Sequence, residues 1–265
     1  MSRARLGIKA LEPPEEQVRA LIRPLLKKKG LIKRRPVEEV AFRAVLYFPY
    51  DIVDFDYELA DGSRGRGRTA INLVLAASAE DPRELTLCLR PSYAREAQRA
   101  SELPGDARLV GPKVRGLEVL RRLADARAEV EEFRSRAGRA LADARRKTIL
   151  PQYQIVSLFV PVPSIQAMMA QRSFSDLYAR VEAFVRELNS RLGLKEEVEL
   201  TAIEPREQEG PIYFPSLVLG LSGPEGTRLV FLDISGREPR LDVEATYLCS
   251  IKPGLREELQ GALSA

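Results

Sequence analysis

The two halves of this chain resemble each other in sequence. Residues 46–49 read Leu-Tyr-Phe-Pro and residues 212–215 read Ile-Tyr-Phe-Pro. A helical pattern and a strand-like stretch precede each motif, and an apolar run, a glycine-containing turn and two more strand-like stretches follow it. Because the order of elements recurs, and not only one tetrapeptide, the sequence predicts duplication of a structural unit. Chance similarity among short strands is the competing interpretation.

The pattern predicts an α+β protein with two tandem similar units, each a small antiparallel sheet flanked by helices. The first unit spans residues 1–105 and begins with a basic helix, a long connecting helix spans residues 106–150, and the second unit spans residues 151–265. A strand at residues 154–160 opens the second unit. The last strand of each unit is predicted to carry a cysteine, Cys88 or Cys249, with a buried, unreactive thiol.

The connecting helix, over residues 114–147, shows apolar residues at alternating spacings of four and three over four heptads. This spacing is typical of a coiled-coil-like seam. The residues predicted to form a helix interface are Val119, Leu123, Val130 and Phe133. Two interpretations stay open: the seam packs inside the chain, or it binds a protein partner or a second copy.

The composition excludes several classes of enzyme. The chain has no histidine and only two cysteines, so it lacks a Ser-His-Asp triad, a His general base and a four-Cys zinc site. It also lacks a phosphate-binding glycine loop. We therefore expect no cofactor, and the sequence leans away from an enzyme.

Location is predicted from the same composition. The sequence has no apolar run of the roughly 18 residues that a membrane span needs, and its N-terminus has no signal-peptide core. Two cysteines do not form a disulfide framework. We expect a cytoplasmic protein without membrane contact. The scarcity of Asn, Cys and Met, with many Arg and Glu, is typical of a thermophilic source, and GC-rich codon usage is the alternative explanation of the Arg and Ala content.

Positive charge is concentrated near the N-terminus. Residues 1–35 have eleven Lys and Arg against three Glu, whereas the rest of the chain is slightly acidic, although the whole chain carries +4. The cluster consists of Lys27, Lys28, Lys29, Lys33, Arg34 and Arg35. It is interpreted either as a solvated helix end before Gly30 or as a site for nucleic acid or an acidic partner. In the nucleic-acid interpretation Tyr47 and Tyr50 are exposed stacking candidates.

Two charged rows flank one predicted turn. Asp51, Asp54 and Asp56 resemble a carboxylate set for a divalent cation, and Arg64, Arg66 and Arg68 resemble a nucleic-acid patch. A three-residue loop at 60–62, with Gly62 at positive φ, would place an acidic row of Glu58, Asp56 and Asp54 opposite Arg64, Arg66 and Arg68, respectively, in a hairpin. The same register would cover Gly65 and Gly67 with aromatic rings. We therefore predict that the two rows neutralise each other.

These observations favour a non-catalytic binding or assembly module that acts through protein–protein contacts, including contacts of the 114–147 helix. The first alternative is a nucleic-acid-binding protein that uses residues 19–35 with the Arg row. The second is an enzyme with a metal held by the Asp row.

Overall fold

The computed structural model shows mixed helices and strands, and it describes residues 5–7, 12–29, 35–97, 101–102, 104, 107–148, 179, 181–195, 198, 200–236 and 238–264. The strands are β1 (Arg5–Leu6), β2 (Lys28–Lys29), β3 (Arg35–Pro36), β4 (Glu39–Leu59), β5 (Arg64–Asn72), β6 (Leu89–Arg90), β7 (Ser101–Glu102), β8 (Leu200–Gly223), β9 (Gly226–Asp233) and β10 (Arg240–Leu241). The helices are α1 (Glu15–Ile22), α2 (Leu73–Ser78), α3 (Pro82–Thr86), α4 (Pro91–Glu96), α5 (Gly116–Thr148), α6 (residues 181–191), α7 (Val243–Ile251) and α8 (Pro253–Ser264). The strand predicted at residues 154–160 lies outside the described residues.

Two long antiparallel strands, β4 and β8, form the middle of a sheet with the order β10-β9-β8-β4-β5-β6. The Tyr-Phe-Pro motifs meet at the centre of this pairing, where Phe48 lies opposite Phe214 and Tyr47 opposite Pro215. The α+β class is confirmed. However, the two hairpins share one continuous sheet instead of forming two small ones, because pairing β4 with β8 satisfies backbone groups that would otherwise form open edges.

The β4–β5 hairpin has the predicted register. Glu58 pairs with Arg64 and Phe55 pairs with Gly67, and Gly62 adopts a φ of 79° in the loop. Because Gly67 has no side chain, the Phe55 ring lies directly over its backbone.

The core occupies both faces of the sheet. Alternate residues of β8 point to opposite faces, so Val218 belongs to the larger apolar cluster and Leu217 to the smaller one. Helix α1 covers the smaller cluster, and residues from α2 through α8 contribute to the larger one. At its centre the Tyr93 ring stacks on Phe214, with the ring centroids 4.2 Å apart.

The predicted long helix is present as α5, and its first turns pack on the sheet. The Asp51 carboxylate accepts a hydrogen bond from the Gly116 amide at 2.8 Å, which satisfies one of the free amides at the start of the helix. Val119 and Leu123 are fully buried in the chain's own core. At these two positions the helix therefore packs inside the chain, which is the first of the two interpretations left open by the sequence. Val130 is half-buried against the same core, and the side chain of Phe133 lies outside the described residues.

The last strand of each unit is only two residues long and is displaced from most of its predicted position, at β6 (Leu89–Arg90) and β10 (Arg240–Leu241). Residues 82–86 form α3, and residues 243–251 form α7. Helix α7 begins where the Asp242 carboxylate accepts a hydrogen bond from the Ala245 amide at 2.9 Å, as an N-cap residue does. Cys88 consequently lies in a turn before β6 and Cys249 in a helix, although both are buried as expected.

Candidate functional site

Helix α7 presents three large apolar side chains to solvent. Val243, Tyr247 and Ile251 are exposed by 57%, 50% and 41%, and their spacing of four residues aligns them along one side of the helix. The opposite side, which includes Leu248 and Cys249, is buried in the core. We call the three exposed residues the α7 stripe.

A groove of about 500 Å³ lies between β2, the β8–β9 turn, α7 and α8. We call it the basic groove, because four cationic side chains and two carboxylates give it a net charge of +2. Its charged residues are Lys27, Lys28, Glu38, Glu225, Arg228 and Arg256.

Two of the four cations are held by the two carboxylates. Arg228 donates two hydrogen bonds to the Glu38 carboxylate, at 2.9 and 2.8 Å, and the Lys27 amide donates a third at 2.8 Å. The hydrogen bonds from Arg228, against the opposing effect of burial, lower the pKa of Glu38 to about 2. The Lys27 ammonium pairs with Glu225 at 2.5 Å on the surface. Most of this local charge is therefore already neutralised.

The other two cations, Lys28 and Arg256, form no ion pair within the described part of the chain. Cys249 also lines the groove, and burial raises the pKa of its thiol to about 11, although Arg256 acts in the opposite direction. A thiol with this pKa is protonated near neutral pH, so it is a poor nucleophile. The groove is therefore suited to binding anionic groups through its cations, and not to thiol chemistry.

The N-terminal basic cluster is not the end of a helix. Helix α1 ends at Ile22, just before Pro24, and Lys28 lies in β2, which pairs with β3. For Lys29 and Arg35 only the backbone is described, and Lys33 and Arg34 lie outside the described residues. Of the six predicted residues, the structure thus places the side chains of Lys27 and Lys28 at one site.

The predicted stacking residues are not on the surface. Tyr47 is 6% exposed and Tyr50 is 4% exposed. Tyr50 packs at the centre of the core, where the Asn72 side-chain amide donates to its hydroxyl at 2.9 Å. These rings are therefore unavailable for stacking on bases.

The Arg row pairs with the acidic row, as the hairpin register predicts. Nitrogen–oxygen distances are 2.9 Å for Arg64–Glu58, 3.4 Å for Arg66–Asp56 and 3.1 Å for Arg68–Asp54. The neighbouring strand β8 adds two further pairs, Arg206–Asp56 at 2.5 Å and Arg68–Glu209 at 3.2 Å.

The Asp row does not converge on a metal position. Asp51 accepts from the Gly116 amide at the start of α5, and burial, partly offset by that hydrogen bond, raises the pKa of its carboxyl. Asp54 and Asp56 pair with arginines instead. Among the described residues no group of three or more Asp, Glu or Cys side chains could hold a metal ion.

A buried ion network connects the two halves of the sheet. The Arg90 guanidinium donates to the Asp242 carboxylate at 2.7 Å and lies 3.4 Å from Glu244. Glu244 also pairs with Arg191 at 2.5 Å. Because these charges satisfy one another inside the protein, we interpret the network as structural.

Sequence reasoning missed the α7 stripe because it assigned residues 241–247 to a strand. The alternating pattern of Leu241, Val243, Ala245 and Tyr247 is typical of a strand. The same residues also fit the start of a helix that buries the small Ala245 and exposes Val243 and Tyr247. The available signal was Asp242, a good N-cap residue, followed by apolar residues four apart at Val243, Tyr247 and Ile251.

Helices that combine the length and apolar character needed to cross a membrane do not occur among the described residues. Comparison with family models, curated proteins and solved structures finds no match for this chain.

Proposed function

We propose that this chain is a non-catalytic binding module that docks a protein segment on the α7 stripe. The observation that carries the proposal is the arrangement of three large apolar side chains, 41–57% exposed, on one side of a helix whose other side is buried. Single exposed apolar residues are normal, whereas a contiguous apolar surface marks an interaction site.

The rest of the molecule supports binding rather than catalysis. The two cysteine thiols are buried with raised pKa values. Asp54 and Asp56 form ion pairs with arginines, and Asp51 accepts a hydrogen bond from the start of α5. The α7 helix is anchored on its inner side by Leu248, which is fully buried. An anchored helix presents its outer side chains in a fixed geometry, which lowers the entropic cost of docking.

We also infer that the two hairpin units arose by duplication. Phe48 and Phe214 face each other, and the strands outside them follow the same order on both sides. The next shared element is a helix whose N-cap residue is Arg90 in the first unit and Asp242 in the second. By this register Cys88 corresponds to Arg240 and not to Cys249.

The two units differ in the helix that follows these caps. Helix α4 has six residues and exposes Ser92 and Arg95, whereas α7 has nine and exposes the stripe. Divergence after duplication would therefore leave docking to the second unit.

The experiment is a selection from a displayed library of random peptides of about 12 residues, a length that covers one helix face. The immobilised full chain is the bait, and the Tyr247→Ser variant serves for counter-selection. We expect enriched peptides whose affinity for Tyr247→Ser is at least about 30-fold lower, as for an interface hot spot. Leu109→Ser, at an apolar residue exposed by 43% outside α7, is the control and should bind them normally.

Folding of Tyr247→Ser is checked by urea unfolding, because an exposed position should change stability by no more than about 0.5 kcal/mol. Failure to enrich any peptide that distinguishes the two variants, together with a monomeric chain at all concentrations, would rule out the proposal.

A further inference from the structure

The basic groove and the α7 stripe are parts of one surface. Thr246 and Ser250 line the groove, and each directly precedes a stripe residue, Tyr247 or Ile251. Successive helix positions are rotated by about 100°, so the groove wall formed by Thr246 and Ser250 is the flank of the stripe. A segment docked on the stripe would have one edge along the groove.

That edge would meet unpaired positive charge. Lys28 and Arg256 line the groove and have no ion-pair partner among the described residues, whereas Arg228 is held by Glu38. An arginine guanidinium matches a carboxylate with two parallel hydrogen bonds. On the other flank of the stripe Glu244 is already paired with Arg191 and Arg90. The charge of this carboxylate is therefore already neutralised within the chain.

We propose that the partner is an acidic amphipathic segment of another protein, with apolar side chains on the α7 stripe and carboxylates in the basic groove. This inference rests on the proposed function and specifies its partner. The apolar stripe and the adjacent net charge of +2 together define the complementary chemistry.

A second copy of this chain fits the surface less well. It would bring the same two unpaired cations, and the carboxylate beside its own stripe, Glu244, is already bonded to Arg191 at 2.5 Å. A homodimer through α7 would therefore bring like charges together beside the stripe.

Nucleic acid also fits less well. A phosphate backbone is bound by many cations along a track, whereas two unpaired cations lie in this groove beside an apolar stripe. Stacking on bases needs exposed rings, and Tyr47 and Tyr50 are buried.

The test uses the peptides enriched by the selection described above, measured by fluorescence anisotropy. The charge-reversed variant is Lys28→Glu/Arg256→Glu. The matched control is Arg121→Glu/Lys195→Glu, which changes net charge equally at two exposed positions outside the groove.

We expect the selection to enrich acidic peptides with two or more large apolar residues. Their affinity should fall about tenfold or more in the charge-reversed variant and stay within about twofold in the control. It should also fall as salt rises from about 50 to about 300 mM.

Other outcomes separate the two proposals. Enriched peptides that are neutral or basic, or that bind the charge-reversed variant as well as the original chain, would overturn the acidic partner but leave docking on the stripe intact. A dimer in sedimentation that Tyr247→Ser dissociates would do the same. Binding of an oligonucleotide of about 20 nucleotides that is lost in Lys28→Glu/Arg256→Glu but kept in Tyr247→Ser would favour nucleic acid and overturn the inference.

Discussion

The Arg90 guanidinium lies 2.7 Å from the Asp242 carboxylate, and these residues are the N-caps of α4 and α7. Each stands beside a strand of a different hairpin, since Arg90 pairs with Ala70 and the Asp242 amide donates to the Phe231 carbonyl at 2.8 Å. The ion pair therefore connects the two ends of the sheet at the N-cap of α7, the helix that carries the stripe.

Breaking this pair should strongly destabilise the protein. Arg90→Leu leaves the Asp242 carboxylate, 9% exposed, without its cation, and loss of one partner of a buried pair costs about 3 to 5 kcal/mol. Urea unfolding measures the change. Arg64→Leu, which breaks the exposed pair with Glu58, should cost at most about 1 kcal/mol. Equal losses in the two variants would contradict a structural role for the buried network.

Stability should depend on Glu38 at acidic pH. Its pKa is lowered from 4.5 to about 2 in the folded protein, so the unfolded chain binds the proton more readily. Glu38 therefore stabilises the fold above pH 4.5, and this contribution is lost as pH falls from 4.5 towards 2. In urea titrations over that range the original chain should lose more stability than Glu38→Gln. Parallel curves for the two proteins would be inconsistent with the Arg228–Glu38 pair.

The two glycines of β5 should tolerate alanine differently. A Cβ at Gly67 would overlap the ring of Phe55, which is 1% exposed and fixed in the core. Gly67→Ala should therefore cost about 1 to 3 kcal/mol, as overpacking does. At Gly65 the overlapping ring is Tyr57, which is half-buried and has room to move. Gly65→Ala should cost less in thermal unfolding, and the reverse order would show that the rings do not cover the glycines in this way.

Replacing Asn72 should destabilise the protein more than replacing an ordinary helix cap. Its side-chain oxygen accepts from the Val74 and Leu75 amides at 3.1 and 3.0 Å, and its side-chain nitrogen donates to the buried Tyr50 hydroxyl. Asn72→Ala should lower the free energy of unfolding by about 1 kcal/mol for the lost cap. It should lose about 1 to 3 kcal/mol more because the buried Tyr50 hydroxyl no longer has its donor. Asp81→Ala removes only the exposed cap of α3 and should cost about 1 kcal/mol. Similar unfolding free energies for both variants would mean that the Asn72–Tyr50 bond contributes nothing measurable.

Some relationships were predictable because they are local in sequence. The β4–β5 register depends on a short loop with Gly62 at positive φ, and once the loop is placed, the pairing of Glu58 with Arg64 follows along both strands. Helix α5 was predictable from its apolar period, and the Asx turn at Asp233 from the Asp-Ile-Ser-Gly sequence; there the carboxylate accepts from the Ser235 amide at 2.9 Å.

Other relationships depend on contacts between distant segments. Residues 241–247 alternate as a strand would, and the helix forms because Asp242 caps it and Leu248 finds a place in the core. Val119 and Leu123 have the spacing of a coiled coil, but in the folded protein they are buried in the core, where α5 packs on the sheet. Lys28 and Arg256 are more than two hundred residues apart, and only the tertiary fold, in which α8 packs on α7, brings them to one groove.

Turn geometry and side-chain period act between near neighbours, so they were sufficient to predict the two hairpins, the long helix and the self-neutralising charge rows. Contacts between distant segments were needed to join the hairpins in one sheet, to pair particular carboxylates with particular cations or amides, and to turn one side of α7 towards water. Those outcomes depend on which distant surfaces exclude water together, and a linear pattern does not specify that choice.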